Sequence, residues 1–465
     1  MIGIMSYEAL FKHVMFPAYE LVRRRQTSAY VAQLEKQQWL RLEQIQAIQL
    51  DKTNRLLAHC WQEVPFLRTY WGDNGLRPIQ LGHIDELAAY PTLSKAQIAA
   101  NYDQMIAANW RGKTMRKETG GSTGTPFQFE YTMDSYARRV AAMWRGYGWA
   151  GAGLGARTGY LWGTGMRASG WGAVKDKLYH GAFNRRFFDV TKLTEDNIDL
   201  LIENLAGYKP DAIVGYVAPL ALIAKRMIET GRRTSPVRGA ISAAEALYEP
   251  ERQAIEEAFQ CRAFNTYGSR EVMLMAAECD RHEGLHVTAD QMVLETVDEH
   301  GRPVSAGQSG NVVVTDLHNF GMPLVRYLNG DCATYAEQAC TCGRGLPLLA
   351  SIDGRLLDMI KTPDGRLLPG EVFVSMMFGF PPLHKYQVVQ TAVDVLQFRI
   401  VLRRPWEGDE QARFIAKAQS QAGPAMRIEL REVDDIPVNT TGKRRITVSL
   451  QNNHMVPTLP PQGQV

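Results

Sequence analysis

The sequence predicts an α/β protein with a large, multi-layered N-terminal domain and a small α+β C-terminal domain. The chain has 465 residues, more than one hydrophobic core usually supports, so we expect two domains. Strand-like and helix-like patterns alternate before Gly354, as in a layered sheet, and a separate unit with its own pattern follows. We therefore place the large domain at 1–354, a small mobile domain at 355–452 and a tail at 453–465.

Hydrophobic spacing along the chain predicts the individual helices and strands. Segment 1–75 is expected to be helical, because apolar residues recur at three- and four-residue spacing, as at Leu42, Ile45 and Ile48. Further helices are predicted at Ser135–Gly146, Pro219–Glu229, Glu249–Phe259 and Asp409–Gln421. Strands are predicted at Ala212–Val214, Ala263–Tyr267, Val388–Leu402 and Arg427–Val433, with a strand-rich region at Val293–Tyr335.

The composition is typical of a soluble globular enzyme and argues against several function classes. Hydrophobic residues make up 45% of the chain and charged residues 22%, so intrinsic disorder is not expected. The formal net charge of +3 is small for this length, which disfavours nucleic acid as a partner. No apolar run is long enough to cross a membrane and the N-terminus lacks a signal-peptide pattern, so we expect a cytoplasmic protein.

A loop rich in glycine and hydroxyl side chains is the first candidate functional element. Residues Glu118–Pro126 include three glycines and four serines or threonines. Such a loop can direct backbone N–H groups and hydroxyls towards phosphate oxygens. It lacks the Gly-Lys-Ser/Thr ending of a Walker loop, so ordinary NTPase chemistry is not supported. From composition alone, a plain surface turn is an equally good interpretation.

The same loop also contains the pattern of a hydrolase. Gly120–Gly124 reads Gly-x-Ser-x-Gly, the nucleophile elbow of α/β-hydrolases, with Ser122 as the nucleophile. That elbow requires a helix after the turn, whereas Phe127–Thr132 alternates apolar and polar residues as a strand does. The strand pattern disfavours a hydrolase.

Five motifs in order resemble those of the adenylate-forming enzymes, and within them the phenylacetate-CoA ligases and their capsule-cluster homologues. The family's phosphate loop resembles Thr119–Pro126, and its tyrosine-glycine-x-x-glutamate signature resembles Tyr267–Glu271. The other three motifs resemble Met322–Asp331, Gly354-Arg355 and Pro437–Lys443. The resemblance implies the α/β fold of that superfamily and an AMP-forming acid–thiol ligase of the acyl-CoA synthetase type.

The resemblance also implies roles for individual residues. Tyr267 would stack on adenine, Glu271 would hold Mg²⁺ and Lys443 would stabilise charge on the α-phosphate during attack by a carboxylate. Arg270 is a third catalytic candidate. The remaining nucleotide-binding candidates are Thr119, Gly121, Ser122, Thr123, Gly124, Thr125, Ala244, Glu245, Gly268, Ser269, Asp331 and Arg355. ATP and Mg²⁺ are therefore expected as cofactors.

Four positions depart from the family pattern. Thr125 stands where many members carry lysine, and Arg270 replaces the small hydroxyl residue expected before Glu271. Leu328 stands where arginine is common, and Leu357 lies where the hinge usually has aspartate. A catalytically weakened relative that still binds carboxylates is therefore a further alternative.

Three cysteines and a histidine form a candidate zinc site. Cys279 and His286 precede the pair Cys340 and Cys342, and thiolate and imidazole ligands suit tetrahedral Zn²⁺. Free thiols fit the spacing equally well, because Cys-x-Cys is less specific than Cys-x-x-Cys. Similar placements occur in the resembled branch, which favours structural zinc, with His282 as an alternative to His286.

The sequence leaves the acid and the acceptor open. The acid pocket is expected near Trp144–Trp171, Gly215–Val217 and Ala243–Ala244, where Trp162 and Tyr216 would suit an aryl or acyl group. CoA is the usual acceptor of the resembled family, and an amine, giving an amide, is the alternative. A homodimer is left open, and neither nucleic acid nor a membrane is expected as a partner.

Overall fold

A computed structural model describes residues 6–77, 80–119, 127–162, 171–190, 193, 197–243, 245–355, 360–363, 367–368, 373, 380, 382–436 and 447–449. The chain forms two compact units. The first contains Met1–Thr119, Gln128–Asn329 and Ala333–Ile352, and the second contains Gly120–Phe127, Gly330–Cys332 and Asp353–Val465. The domain limits at 354 and 452 stay predictions. None of the described helices has the length and apolar character that crossing a bilayer requires.

Helices form the N-terminal part of the first unit. They are α1 (Tyr7–Leu10), a π-helical turn (Phe11–Met15), α2 (Phe16–Arg23), α3 (Thr27–Gln37), α4 (Leu42–Glu63) and α5 (Pro65–Asp73). After a 3₁₀ turn (Ile84–Ala89) come α6 (Lys95–Ala100), α7 (Tyr102–Met105) and a 3₁₀ turn (Ala108–Trp110). The predicted spacing holds only in part in α4: the helix buries Ile45, Leu56, Leu57 and Cys60 together with the polar Gln49 and Thr53, whereas Leu42 is exposed.

A parallel sheet follows a short hairpin and a long helix. The elements are β1 (Met115–Glu118), β2 (Gln128–Tyr131), α8 (Met133–Trp149), β3 (Thr158–Trp162), α9 (Trp171–Ala182), β4 (Arg185–Asp189), α10 (Ile198–Tyr208), β5 (Ala212–Tyr216), α11 (Val217–Thr230), β6 (Gly239–Ala243), α12 (Glu249–Phe259) and β7 (Arg262–Phe264). Five of these strands pair in parallel in the order β4-β3-β5-β6-β7. Their core includes Leu161, Ile213, Leu220, Ile223 and Phe259.

A seven-stranded sheet completes the described part of the first unit. Its strands are β8 (Thr266–Ser269), β9 (Met273–Glu278), β10 (Leu285–Val287), β11 (Met292–Val297), β12 (Ser309–Asp316), β13 (Tyr327–Tyr335) and β14 (Leu348–Arg355), in the order β11-β12-β13-β14-β10-β9-β8. The prediction of one strand at Ala263–Tyr267 was wrong. Asn265 donates its backbone N–H to Glu278 Oε2 at 2.7 Å, so the chain passes from one sheet to the other at this residue.

The second unit has its own sheet and core. Its elements are β15 (Ile360–Lys361), β16 (Leu367–Leu368), β17 (Leu383–Ala392), β18 (Val395–Leu402), α13 (Glu410–Ala422), β19 (Arg427–Glu432) and β20 (Thr447–Val448). The sheet order is β19-β18-β17-β20, and Phe398 and Phe414 pack in its core. The prediction of one strand over Val388–Leu402 was wrong, because a two-residue turn at Val393 and Asp394 folds it into a hairpin. The predicted loop Asn439–Lys443 lies outside the described residues.

Candidate active site and metal cluster

The β8–β9 hairpin carries five of the predicted site residues, Tyr267–Glu271, on one short segment. Thr266–Ser269 pairs antiparallel with Met273–Glu278, with an irregularity between Tyr267 and Gly268. A Cβ at Gly268 would lie 2.4 Å from the carbonyl oxygen of Met273, so only glycine lets the strands approach this closely. Met273 has φ +61°, an uncommon conformation for a non-glycine residue. The close approach fixes the positions of Tyr267 and Glu271.

Glu271 holds a buried carboxylate with defined partners. Only 3% of its surface is exposed. The Tyr327 hydroxyl donates to Glu271 Oε1 at 2.8 Å, and the Lys95 ammonium lies 3.4 Å from the same oxygen. Lys95 itself is 46% exposed, so it links this buried group to the surface. A buried carboxylate held in this way is a suitable oxygen ligand for a hard cation.

The Tyr267 side chain is held in place by a hydrogen bond to a residue of β13. Its hydroxyl accepts a 2.7 Å hydrogen bond from Asn329 Nδ2, and both residues are buried. Asp331, one of the predicted nucleotide-binding residues, is half-buried in the same strand as Asn329. Ser269 Oγ is buried and has no hydrogen-bond partner among the described residues. An orphaned hydroxyl next to Tyr267 and Glu271 is consistent with a site that binds a polar ligand.

Strands β1 and β2 flank the predicted phosphate loop. They pair antiparallel, with Glu118 opposite Gln128, so the loop connects the two strands of a hairpin. A nucleophile elbow needs a strand before the turn and a helix after it, and here a strand follows. The described flanks therefore contradict the hydrolase alternative. Thr119 is half-buried at the edge of the loop, and the predicted residues Gly121, Ser122, Thr123, Gly124 and Thr125 lie outside the described residues.

Other predicted site residues lie apart from the Glu271 carboxylate or outside the described part of the chain. Glu245 Oε2 accepts the backbone N–H of Ala218 at 2.9 Å, in the first turn of α11. This bond caps a helix, and a nucleotide-binding role for Glu245 stays a prediction. The Arg270 side chain is exposed. The predicted residues Ala244 and Lys443, the hinge residue Leu357 and the side chain of Arg355 lie outside the described residues.

The parallel sheet places two aromatic side chains at a topological switch point. The chain runs from β3 to β4 on one side of it and then crosses back over β3 to β5 on the other side, so the crevice lies between the carboxyl ends of β3 and β5. Ligands of open α/β sheets bind at such crevices. Trp162 ends β3 and Tyr216 ends β5, and their rings stack with centroids 4.2 Å apart. The structure thus brings together two residues of the predicted acid pocket.

The four predicted zinc ligands converge. The ligand atoms of Cys279, His286, Cys340 and Cys342 all lie within 4.8 Å of one another. The Cys279 and Cys340 sulfurs are 3.7 Å apart, close to the roughly 3.8 Å between two thiolates on one tetrahedral Zn²⁺. The Cys342 sulfur lies 3.3 Å from His286 Nε2. The donor set and its spacing fit zinc.

The surroundings of the cluster favour ligation by His286. Its Nδ1 lies 3.4 Å from the Leu346 carbonyl, which would orient Nε2 towards a metal. Burial lowers the pKa of His286 to about 4, so the ring is neutral, as a ligand must be. Burial opposes ionisation of Cys342, but hydrogen bonds from Arg344 and the neighbouring thiols hold the pKa of Cys342 below its ordinary value.

The prediction of His282 as an alternative zinc ligand was wrong. The Nδ1 atom of His282 lies 3.1 Å from Glu278 Oε2 and 3.3 Å from Arg252. It is not among the residues whose ligand atoms converge on the cluster. The left-handed conformation of His282, with φ +56°, turns the chain between Cys279 and His286.

The cluster loop also packs against the N-terminal helices. The Arg344 guanidinium lies 4.8 Å from the ring centroids of both Trp39 and Trp149. A Cβ at Gly345 would lie 1.9 Å from the Leu40 carbonyl oxygen. The loop that supplies Cys340 and Cys342 therefore packs directly against the segment that follows α3.

Sequence reasoning missed three residues that hold the site together. Lys95 and Tyr327 contact the Glu271 carboxylate, and Asn329 contacts Tyr267. Tyr327 and Asn329 fall inside the motif Met322–Asp331, which was the available signal. Lys95 lies in a stretch without any motif that we recognised.

Comparisons with known proteins support the fold and the family resemblance. The CapK C-terminal domain family matches residues 361–450. The chain is 24% identical to a phenylacetate-coenzyme A ligase of Thermus thermophilus over 440 residues, 88% of this chain and 97% of that protein. It is 25% identical to protein CapK of Staphylococcus aureus over 382 residues, 80% of this chain and 82% of that protein. A crystal structure of 2-hydroxyisobutyryl-CoA ligase in the postadenylation state matches with a TM-score of 0.69 and 19% identity, over 86% of this chain and 88% of that chain. The predicted fold class is confirmed.

Proposed function

Because the chain is a phenylacetate-CoA ligase-like member of the adenylate-forming enzymes, we propose that it activates a carboxylic acid with ATP and transfers the acyl group to CoA. The observation that supports this most directly is the buried Glu271 carboxylate on the hairpin that also carries Tyr267. We propose CoA as the acceptor because several relatives of the chain are phenylacetate-coenzyme A ligases.

The first half-reaction forms an acyl-adenylate. A carboxylate oxygen of the acid attacks the α-phosphorus of ATP, the bond from that phosphorus to the bridging oxygen breaks, and pyrophosphate leaves with the electron pair. Tyr267 would hold the adenine and Glu271 would hold Mg²⁺ through a carboxylate oxygen. When bound, Mg²⁺ neutralises phosphate charge. Lys443 would stabilise the charge that develops on the α-phosphate.

The second half-reaction transfers the acyl group. The CoA sulfur attacks the acyl carbonyl carbon and the thiol proton passes to water. The bond between that carbon and the AMP phosphate oxygen breaks, and AMP leaves with the electron pair. We propose that the small domain at 355–452 rotates between the two half-reactions, a movement that would bring Lys443 to the nucleotide for the first one. The acid itself would lie beside Trp162 and Tyr216 at the switch-point crevice.

A screen of acids against acceptors tests the proposal. Each acid is incubated with ATP and Mg²⁺, and pyrophosphate release is measured with CoA, with amines or with no acceptor. Acid-dependent release that is lost in Glu271→Gln and Lys443→Ala supports the ligase. The matched controls are Glu278→Gln, which alters another buried, ion-paired carboxylate, and Lys225→Ala in α11. Amide products would favour the amine acceptor, and ATP binding without adenylation of any acid would identify a weakened relative.

We also propose that Cys279, His286, Cys340 and Cys342 hold one structural Zn²⁺. A closed set of four protein ligands leaves no position for a substrate, which is typical of structural zinc. The metal would fix the loop that carries Arg344 against Trp39 and thereby stabilise the N-terminal helices.

Metal analysis of the purified chain tests the zinc site. One zinc per chain is expected, and Cys342→Ser should lose it. Cys261→Ser is the matched control, because Cys261 is a half-buried thiol outside the cluster. Well under one zinc per wild-type chain, or full occupancy in Cys342→Ser, would contradict the assignment.

A further inference from the structure

The backbone of Glu271 is held from behind by a buried arginine of α8. Arg139 donates one guanidinium N–H to the carbonyl oxygen of Glu271 and another to Asp316 Oδ2. Both charged side chains are only 7% exposed. The Arg139 guanidinium also lies 5.2 Å from the ring centroid of Tyr131, the last residue of β2. One side chain therefore touches the hairpin of the predicted phosphate loop, the end of β12 and the residue proposed to hold Mg²⁺.

The turn at Glu271 needs such a tether. Two residues later Met273 takes φ +61°, an uncommon conformation for a non-glycine residue. The Tyr327 hydroxyl and the Lys95 ammonium contact only the carboxylate end of Glu271. Arg139 fixes the opposite end of the residue, its backbone carbonyl, so together these contacts determine where the carboxylate points.

We infer that Arg139 is a positioning residue, which sets the Glu271 carboxylate for Mg²⁺ by bridging the Glu271 carbonyl and Asp316. This inference rests on the proposed role of Glu271. Asp316 is itself oriented, because its Oδ1 accepts the backbone N–H of His318 at 3.1 Å. The planar guanidinium presents N–H groups in a fixed fork, which an ammonium group cannot reproduce. Arg139 does not touch substrate in this arrangement and acts through Glu271.

The same helix supplies a matched control. Arg145 lies further along α8, is 1% exposed and pairs with Asp290, which is fully buried. Its guanidinium donates hydrogen bonds to Asp290 and to the Leu34 carbonyl, away from Glu271. Replacing Arg145 by lysine disturbs a buried ion pair of the same kind, whereas replacing Arg139 also releases Glu271.

The experiment compares Arg139→Lys, Arg145→Lys and Glu271→Gln with the wild type. The Mg²⁺ concentration that gives half-maximal pyrophosphate release is measured with an acid found in the screen. Independently of activity, the affinity for α,β-methylene ATP is measured by calorimetry with and without Mg²⁺. We expect Arg139→Lys to need about 10–100 times more Mg²⁺ and to lose the Mg²⁺-dependent part of the nucleotide affinity, as removal of an outer partner of a metal ligand does. Arg145→Lys should keep the wild-type Mg²⁺ requirement.

The outcomes separate this inference from the proposed function. A raised Mg²⁺ requirement in Glu271→Gln with a wild-type value in Arg139→Lys overturns the positioning role alone. A wild-type requirement in Glu271→Gln overturns the metal role of Glu271 and the inference with it. Equal increases in the Mg²⁺ requirement of Arg139→Lys and Arg145→Lys would show that Arg139 has only a structural role. If Arg139→Lys does not fold, Asp316→Asn tests the same bridge, with a smaller increase expected and an unchanged value refuting it.

Discussion

The replacement Gly268→Ala should impair adenylation much more than it impairs folding. The added Cβ would lie 2.4 Å from the Met273 carbonyl oxygen, and ordinary van der Waals contact begins at 3.4 Å. Backbone atoms cannot rotate away as a flexible side chain can, so β8 and β9 must separate by about 1 Å. Overpacking of this size costs about 1–3 kcal/mol of unfolding free energy. Most of the protein therefore remains folded at 25 °C.

The kinetic effect of Gly268→Ala follows from the same displacement. Tyr267 lies on the strand that moves, and Glu271 lies in the turn that joins the two strands. A shift of about 1 Å in a positioning group costs about 100-fold in rate. We expect kcat/KM for ATP in the pyrophosphate-release assay to fall by about that factor.

A second glycine provides the control. Gly207 lies in α10, where a Cβ would meet no atom within 4 Å. Gly207→Ala should raise the unfolding free energy in urea by about 0.5–1 kcal/mol and leave kcat/KM unchanged. A Gly268→Ala variant with wild-type kcat/KM, or with a loss no larger than its unfolded fraction, would refute the argument from hairpin geometry.

Three further predictions concern groups around the site. Glu245→Ala removes the acceptor for the Ala218 N–H, so urea denaturation should show about 1 kcal/mol lower stability; a raised KM for ATP would instead assign Glu245 to the nucleotide. Arg326→Met leaves the Glu295 carboxylate, which is only 13% exposed, without its bidentate partner, which should lower the unfolding free energy by about 3–5 kcal/mol; a loss below about 1 kcal/mol would contradict this. Burial, reinforced by a nearby lysine charge, lowers the pKa of His318 to about 2. The unfolded chain, with a histidine pKa near 6.5, therefore binds this proton first, and stability should fall as pH drops from about 6.5 towards 2, by up to about 1.4 kcal/mol per pH unit. His318→Asn should flatten that slope, and an unchanged slope would refute the assignment.

The sequence predicted the layered architecture well, because the periodicity of buried residues is a local property of each element. The sequence-based prediction failed where the chain turns but the hydrophobic pattern continues unchanged. At Val393 and Asp394 apolar residues continue on both sides of a two-residue turn, so a hairpin has the same alternation as one strand. At Asn265 the chain changes sheets. The break is determined by a hydrogen bond from the Asn265 backbone N–H to the Glu278 carboxylate, which no local pattern encodes.

The candidate site was predictable only in part, for a related reason. Tyr267, Glu271 and the cluster of Cys279, Cys340 and Cys342 have residue types and spacings that indicate chemistry. Lys95 and Arg139 reach Glu271 from distant parts of the chain, and lysine or arginine in a helix is ordinary in sequence. Tertiary contacts of this kind cannot be deduced from spacing.

The two sheets of the first unit separate substrate choice from nucleotide chemistry in the proposed enzyme. Trp162 and Tyr216 lie at the carboxyl ends of β3 and β5 in the parallel sheet, whereas Tyr267 lies in β8 of the seven-stranded sheet and Glu271 in the turn that follows β8. Selection could therefore alter the loops after β3 and β5 to accept a new acid without disturbing the hairpin proposed to hold ATP. After gene duplication, such a division would let the two enzymes diverge in the acid that they accept while they keep the same ATP-binding hairpin. Substitutions in the same loops are the first ones to test when the acid specificity is to be changed.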